Sequence, residues 1–314
     1  MASFKYMFPG EPTLTEHNLS SQENKVFIVT GASTGLGKEL AKILFSKHAK
    51  VYIAARSASK AQATISEIRA LYPASKGDLL YLALDLSDLS TIKQTASSFL
   101  AKEDRLDVLF NNAGVMVPPA GSVTAQGWEL QLGTNVLGTF LLTRCLYPAL
   151  TATAKSGLVE KNSVRVVWVS SAAADTAPKP AIDFENMDYR RRDESQWQKY
   201  ERSKAGNILH ACEAARRSEK NGDGVLHVSL HPGIFPTDLQ RTMPGWQSRL
   251  VKMMGKEPKY GAYTQLYAGL DPSVANGSFV GPYGKSVKAR NDLCEEPLGR
   301  MYWEWAEKQV ESFL

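Results

Sequence analysis

Cysteine is scarce in this chain of 314 residues: Cys145, Cys212 and Cys294 stand far apart, without metal-ligand spacing. An odd, sparse count argues against a disulfide framework and for a reducing compartment. All three therefore read as packing residues, and no metal site is expected. Long apolar runs are missing too. The most apolar window, Val136–Leu150, is interrupted by Arg144 and Pro148 and is too short to span a bilayer. The first residues lack the charged start and continuous apolar stretch of a secretory signal. These absences lead us to expect a cytoplasmic protein with no stable membrane insertion. Charge of one sign is not massed either. The net charge is +5, and the densest basic cluster, Arg190, Arg191 and Arg192, is followed at once by Asp193 and Glu194. That reads as a solvated loop, so no nucleic-acid partner is expected.

What is present is an ordinary globular mix, with 43% hydrophobic and 22% charged residues, enough for a sizeable core. Residues 1–24 carry Pro9, Gly10 and Pro12 without periodicity and read as an arm. From Lys25 onward, short β-rich runs alternate with longer amphipathic stretches. Val26–Thr30, Val51–Ala55, Leu79–Leu84, Val108–Asn111, Arg165–Ser170 and Val225–His231 read as strands. Helices are expected at Gly37–His48, Lys60–Tyr72, 88–102, 124–150 and 201–221. Such alternation implies right-handed crossovers and an α/β fold, a Rossmann-type doubly wound parallel sheet with helices on both faces. One domain over 25–281 is expected. A tail, 282–314, follows, with a helix over Pro297–Phe313 whose Tyr302, Trp303 and Trp305 act as packing anchors.

The first strand runs directly into Thr30-Gly31-Ala32-Ser33-Thr34-Gly35-Leu36-Gly37. A strand that turns tightly into a helix here can bring its backbone up to a pyrophosphate at the positive helix end. A side chain at Gly35 or Gly37 would hold the phosphate away. The second strand ends in Ala55-Arg56-Ser57, without the acid that holds the ribose hydroxyls in NAD sites. Arg56 can bind a 2′-phosphate through charge-assisted hydrogen bonds, with Ser33 as a further donor. NADP(H) is the expected cofactor.

The G-x-x-x-G-x-G spacing, together with the motifs that follow, resembles the short-chain dehydrogenase/reductase family, over about Lys25 to Gly281. Within it the chain is similar to the retinol-dehydrogenase-like and fungal secondary-metabolite branches. The resemblance implies that Asn112, Ala113 and Gly114, in the segment Asn111-Asn112-Ala113-Gly114, lie against the cofactor. It also implies that Asp85 meets the adenine and Thr237 the carboxamide, and that Leu86 and the Pro232-Gly233 segment line the cofactor. Tyr200-Glu201-Arg202-Ser203-Lys204 matches the family's Y-x-x-x-K pattern. On a helix, i and i+4 share a face, so Tyr200 and Lys204 point the same way. A free phenol has a pKa near 10, which a nearby ammonium and the nicotinamide charge would lower toward working pH. By the same resemblance, Ser171 hydrogen-bonds the substrate oxygen, Ser170 is structural, and Asn135 holds a proton-relay water. The implied reaction is reduction of a carbonyl by NADPH with Tyr200 as proton donor.

Ser171 and Tyr200 stand about twice as far apart as in short family members. The added stretch, Asp175–Lys199, holds Asp183, Phe184, Tyr189, Trp197 and three arginines and reads as a lid or as a packing insertion. The expected partner is a small apolar or aromatic carbonyl compound, with homo-oligomerisation left open. Two other readings remain at this point: a dinucleotide-sensing binding protein, and a non-redox catalyst such as an isomerase or cyclase on the same scaffold. Leu250, Val251, Met253 and Met254 beside Arg249, Lys252, Lys256 and Lys259 read as a cleft helix with a basic face.

Overall fold

The computed structural model describes residues 10–235 and 257–314. Its strands are β1 (Val26–Thr30), β2 (Lys50–Ala55), β3 (Asp78–Ala83), β4 (Val108–Asn111), β5 (Arg165–Val169), β6 (Leu226–Leu230), β7 (Phe279–Gly281) and β8 (Lys285–Val287). They form one sheet in the order β3-β2-β1-β4-β5-β6-β7-β8, parallel except for β8. Every residue of β1, β4, β5, β6 and β7 is buried. Strands buried along their whole length need cover on both faces. The two edges fall to β3 and β8, whose residues are partly exposed.

Successive side chains supply opposite faces of the sheet. Phe27 and Val29 join a core beneath α1 (Gly35–Ser46), α2 (Ala58–Leu71) and α6 (Pro258–Leu270). Val26 and Ile28 join another beneath α3 (Leu89–Leu100), α4 (Thr139–Lys155) and α5 (Gln196–Asn221). An outer helix, α7 (Glu296–Val310), packs on α5. Its Tyr302 ring stacks on His210 at 4.8 Å, and Trp303 meets Phe140 edge-on at 4.8 Å. No described helix is long and apolar enough to cross a membrane.

Several boundaries differ from expectation, each for a local reason. The stretch 124–150 is not one helix. Val123 bridges Glu129, and the chain then passes through Leu130–Leu132 and a π-helical turn, Gly133–Gly138, into α4. α5 begins at Gln196, five residues early, because Ser195 and Gln198 form a capping box. Beyond Gly281 the chain turns back as β8 before reaching α7.

The expectation that no cysteine is bridged is corrected: Cys212 on α5 and Cys294 before α7 form a disulfide, with Cα atoms 5.6 Å apart. They are 82 residues apart, so only the docking of α7 on α5 reveals the pair. Cys145 is free.

The Asp175–Lys199 stretch is a packed insertion. Ile182 and Tyr189 are buried with Ile208, Leu209 and Tyr302. Arg202 of α5 holds it by donating to Pro180 O at 2.6 Å and Ala181 O at 3.0 Å. Arg190, Arg191 and Arg192 are exposed and paired with Asp188, Glu185 and Asp183. The arm is fastened through Glu16, which pairs with Lys259 and accepts from Tyr263 at 2.6 Å.

Candidate active site

Strand order reverses between β1 and β4, the point where open α/β sheets form a crevice at their carboxyl ends. The glycine turn lies there. Gly31 and Gly35 adopt φ 68° and 58°, the left-handed region that glycine occupies without strain. A Cβ on Gly37 would come within 2.6 Å of Asn112 Nδ2. That amide donates to Thr30 O at 2.7 Å, so the turn and the Asn111–Gly114 segment are closed on each other. Thr34, at the N-cap of α1, makes no side-chain capping bond, and the first turn holds no acid. Its backbone N–H groups thus face the crevice as a cradle for an anion.

Ser33 is drawn toward α2, its carbonyl accepting from Thr64 Oγ1 at 2.9 Å. Arg56 follows β2 and is exposed, and its guanidinium carries no ion pair among the described residues. Asp85 Oδ1 accepts from Ser87 N at 2.9 Å and Ser87 Oγ at 2.6 Å, shaping the turn after β3. Leu86 is buried against Gly138. On the other side Pro232 O accepts from Thr264 Oγ1 at 3.2 Å, and Gly233 has φ 114°. Thr237 and the basic 249–256 stretch lie outside the described residues. Donors, a positive helix end and an exposed guanidinium on one edge fit a phosphorylated dinucleotide.

Ser171, Tyr200 and Lys204 meet one strand further along. Ser171 closes β5 and caps the turn Ala172–Thr176, accepting from Ala173 N at 3.2 Å. Tyr200 is 4% exposed, and the Ser171 hydroxyl lies near enough to its phenol to favour the phenolate. Lys204 Nζ lies 5.8 Å from the centre of the Tyr200 ring and donates to Val169 O at 2.9 Å. Ser170 is structural, its hydroxyl donating to Lys204 O at 2.7 Å. Burial pushes the Tyr200 phenol up to about 12, against a smaller pull from Ser171, and pushes Lys204 down to about 8. Among the protein's own groups burial thus dominates the phenol; the expected lowering also rests on the nicotinamide charge. Desolvating a phenolate costs more than an ammonium beyond hydrogen-bond reach returns.

Asn135 sits in the π-helical turn and is fully buried. Its Oδ1 accepts from Val115 N at 2.7 Å, while Nδ2 donates to Val115 O at 2.9 Å and Ser203 Oγ at 3.0 Å. Thr139 Oγ1 donates to its carbonyl at 2.8 Å. The side-chain amide thus staples the Val115 backbone, next to Gly114. A Cβ on Gly114 would lie 3.0 Å from Asn135 Oδ1 and 3.5 Å from Lys204 Nζ, so these three residues meet.

Sequence reasoning missed Ser203, which donates to Tyr200 O at 2.8 Å and accepts from Asn135. Its place inside the Tyr200–Lys204 pentapeptide was a signal. It also missed Gln265, which donates to Asn112 Oδ1 at 2.9 Å, and Gln131, for which no local signal exists. No group of three or more His, Cys, Asp or Glu suited to a metal occurs among the described residues.

Residues 25–182 match the short chain dehydrogenase family. A short-chain dehydrogenase/reductase of Emericella nidulans, pkfC, is 53% identical over 308 residues, covering 96% of this chain and 98% of that protein. One from Phomopsis amygdali is 46% identical over 323 residues, covering 98% and 96%. Among solved structures, an uncharacterized protein from Mycobacterium paratuberculosis superposes with a TM-score of 0.75 at 29% identity, covering 95% of this chain and 97% of that one. The Pseudomonas aeruginosa RhlG/NADP active-site complex superposes at 0.64 with 25% identity, covering 83% and 95%.

Proposed function

This chain belongs to the short-chain dehydrogenase/reductase family, and we propose that it is an NADP(H)-dependent carbonyl reductase acting on an apolar or aromatic ketone or aldehyde. One observation carries the reading: Ser171, Tyr200 and Lys204 converge at the carboxyl edge of the sheet, next to the glycine turn. The pyrophosphate would be held by Gly31, Ser33, Thr34, Gly35, Leu36 and Gly37. Asp85 and Leu86 would take the adenine, and Asn112, Ala113 and Gly114 would line the groove. Pro232 and Gly233 would line the cofactor, and Thr237 would contact the carboxamide. Arg56 would hold the 2′-phosphate, and the NADP in the Pseudomonas aeruginosa complex supports that choice.

When bound, the cofactor supplies the reducing equivalents for the carbonyl carbon. Burial keeps the Tyr200 phenol protonated, so at neutral pH it is ready to give its proton to the carbonyl oxygen. The Ser171 hydroxyl donates to the same oxygen and stabilises the charge that builds there. Lys204 Nζ would hold the ribose. Asn135 is a positioning residue that fixes Val115, next to Gly114.

The test is to follow NADPH oxidation with a panel of aryl and alkyl ketones and aldehydes, alongside Tyr200→Phe. The expected loss in the variant is about a thousandfold in kcat. Equal turnover by wild type and variant removes Tyr200 from its role.

A further inference from the structure

We propose that Trp197 forms an aromatic platform at the mouth of this site and selects planar aryl or conjugated carbonyl compounds over saturated ones. The inference rests on the carbonyl-reductase reading and specifies its substrate class.

Trp197 stands one helical turn before Tyr200 on α5, so the two side chains share a face. Their ring centroids are 5.6 Å apart with planes at 39°. Tyr200 is 4% exposed but Trp197 is 44% exposed. The indole therefore rests on the phenol with part of its surface and offers the rest to solvent. An indole left this open beside a buried phenol has an apolar face available for a flat ligand.

Met116, Val117 and Ala173 pack around Tyr200, so the surface next to the phenol is apolar. Val117 adopts φ 47°, a left-handed backbone that a β-branched residue takes only under strain. What holds it there is one buried amide. Gln131 Oε1 accepts from Val117 N at 2.9 Å, while Gln131 Nε2 donates to Gln196 O at 2.9 Å. Gln131 itself is fully buried. A single side chain thus ties the Met116–Val117 wall to the residue that precedes Trp197. Val117 and Gln196 are thereby fixed relative to each other. A planar ring laid against the indole would turn its carbonyl to the Tyr200 and Ser171 hydroxyls. A saturated ring, thicker and without a π face, loses the stacking contact.

The experiment compares acetophenone with cyclohexyl methyl ketone, and 1-phenylethanol with 1-cyclohexylethanol. Reduction by NADPH gives kcat/KM for the ketones; calorimetry in the presence of NADP+ gives Kd for the alcohols. In the wild type the aryl compound is preferred in both. Trp197→Ala is expected to lower the aryl-over-cyclohexyl ratio about five- to tenfold, mostly through KM and Kd, whereas Trp197→Phe retains most of it. An unchanged ratio in Trp197→Ala in both measurements overturns the platform. If no ketone is reduced but the alcohol ratio still collapses in Trp197→Ala, the platform stands and the reductase reading falls. Turnover with an unmoved ratio does the opposite: the reductase reading stands and the platform falls.

Discussion

Two sides of one helix, α5, carry buried cations that are treated in opposite ways. Arg202 faces the Asp175–Lys199 insertion, where Glu194 meets its guanidinium at 2.6 and 2.7 Å. Burial opposes its charge, yet Glu194 outweighs that and its pKa rises. Two residues on, Lys204 faces the sheet edge, where its ammonium donates to the carbonyl of Val169, and burial alone pulls its pKa down to about 8. A paired charge fastens a structure; a charge kept buried without a carboxylate is a cost that a site tolerates when its chemistry uses the group. The insertion side of α5 is therefore read as scaffold and the sheet side as the working site.

The contrast is broken most severely by removing one half of the insertion pair. Glu194→Ala leaves Arg202 buried without its paired carboxylate, and chemical denaturation should show a stability loss of about 3–5 kcal/mol. An effect below about 1 kcal/mol would put that pair among surface ion pairs and dissolve the distinction. The next largest effect is expected at Lys204, with the opposite sign for stability. Lys204→Met should cost about a hundredfold in kcat/KM while raising stability at pH 7, by up to about 3 kcal/mol for a shift of this size.

The sign of the pH dependence follows from a folded-state pKa lying below the ordinary 10.5. The burial cost is present in full below about pH 8, shrinks as the pH rises, and vanishes above about 10.5. Thermal melts of wild type and Lys204→Met should therefore diverge below about pH 8 and converge in alkali. A gap that does not change with pH would remove burial of the charge as its cause. The smallest effect belongs to a third cation, Arg56, which is exposed and has no ion pair among the described residues. Arg56→Ala should weaken NADPH about ten- to thirtyfold and NADH less than about threefold, measured by fluorescence titration. Equal weakening of both would refute the phosphate assignment.

Much of the sheet could be read directly. Its fully buried central strands are mostly apolar runs, β6 with His227 and Ser229 being the exception, and β4 falls on Val108–Asn111 as expected. Helix ends were harder to place, because they depend on caps. Ser195 and Gln198 carried a readable capping box, but Gly133–Gly138 offers nothing local that predicts a π turn. Of the candidate site, Tyr200 and Lys204 were legible because four residues on a helix impose proximity. Their protonation was not, since it depends on how much protein closes over them. The partnerships of Gln131 with Val117 and Gln196, and of Cys212 with Cys294, lie at sequence separations that no periodicity reports.

By itself, the sequence determined the alternation of strands and helices, the glycine turn at Thr30–Gly37 and the shared face of Tyr200 and Lys204. Each follows from interactions within a few residues of chain, whose geometry is set by backbone sterics and helical pitch. Only the tertiary structure decided that Asn135 is a staple, that the Asp175–Lys199 stretch is fastened through Arg202, and that Trp197 stays open above a buried phenol. Those outcomes depend on desolvation and on contacts between distant segments, which exist only once the sheet and its two layers of helices have closed.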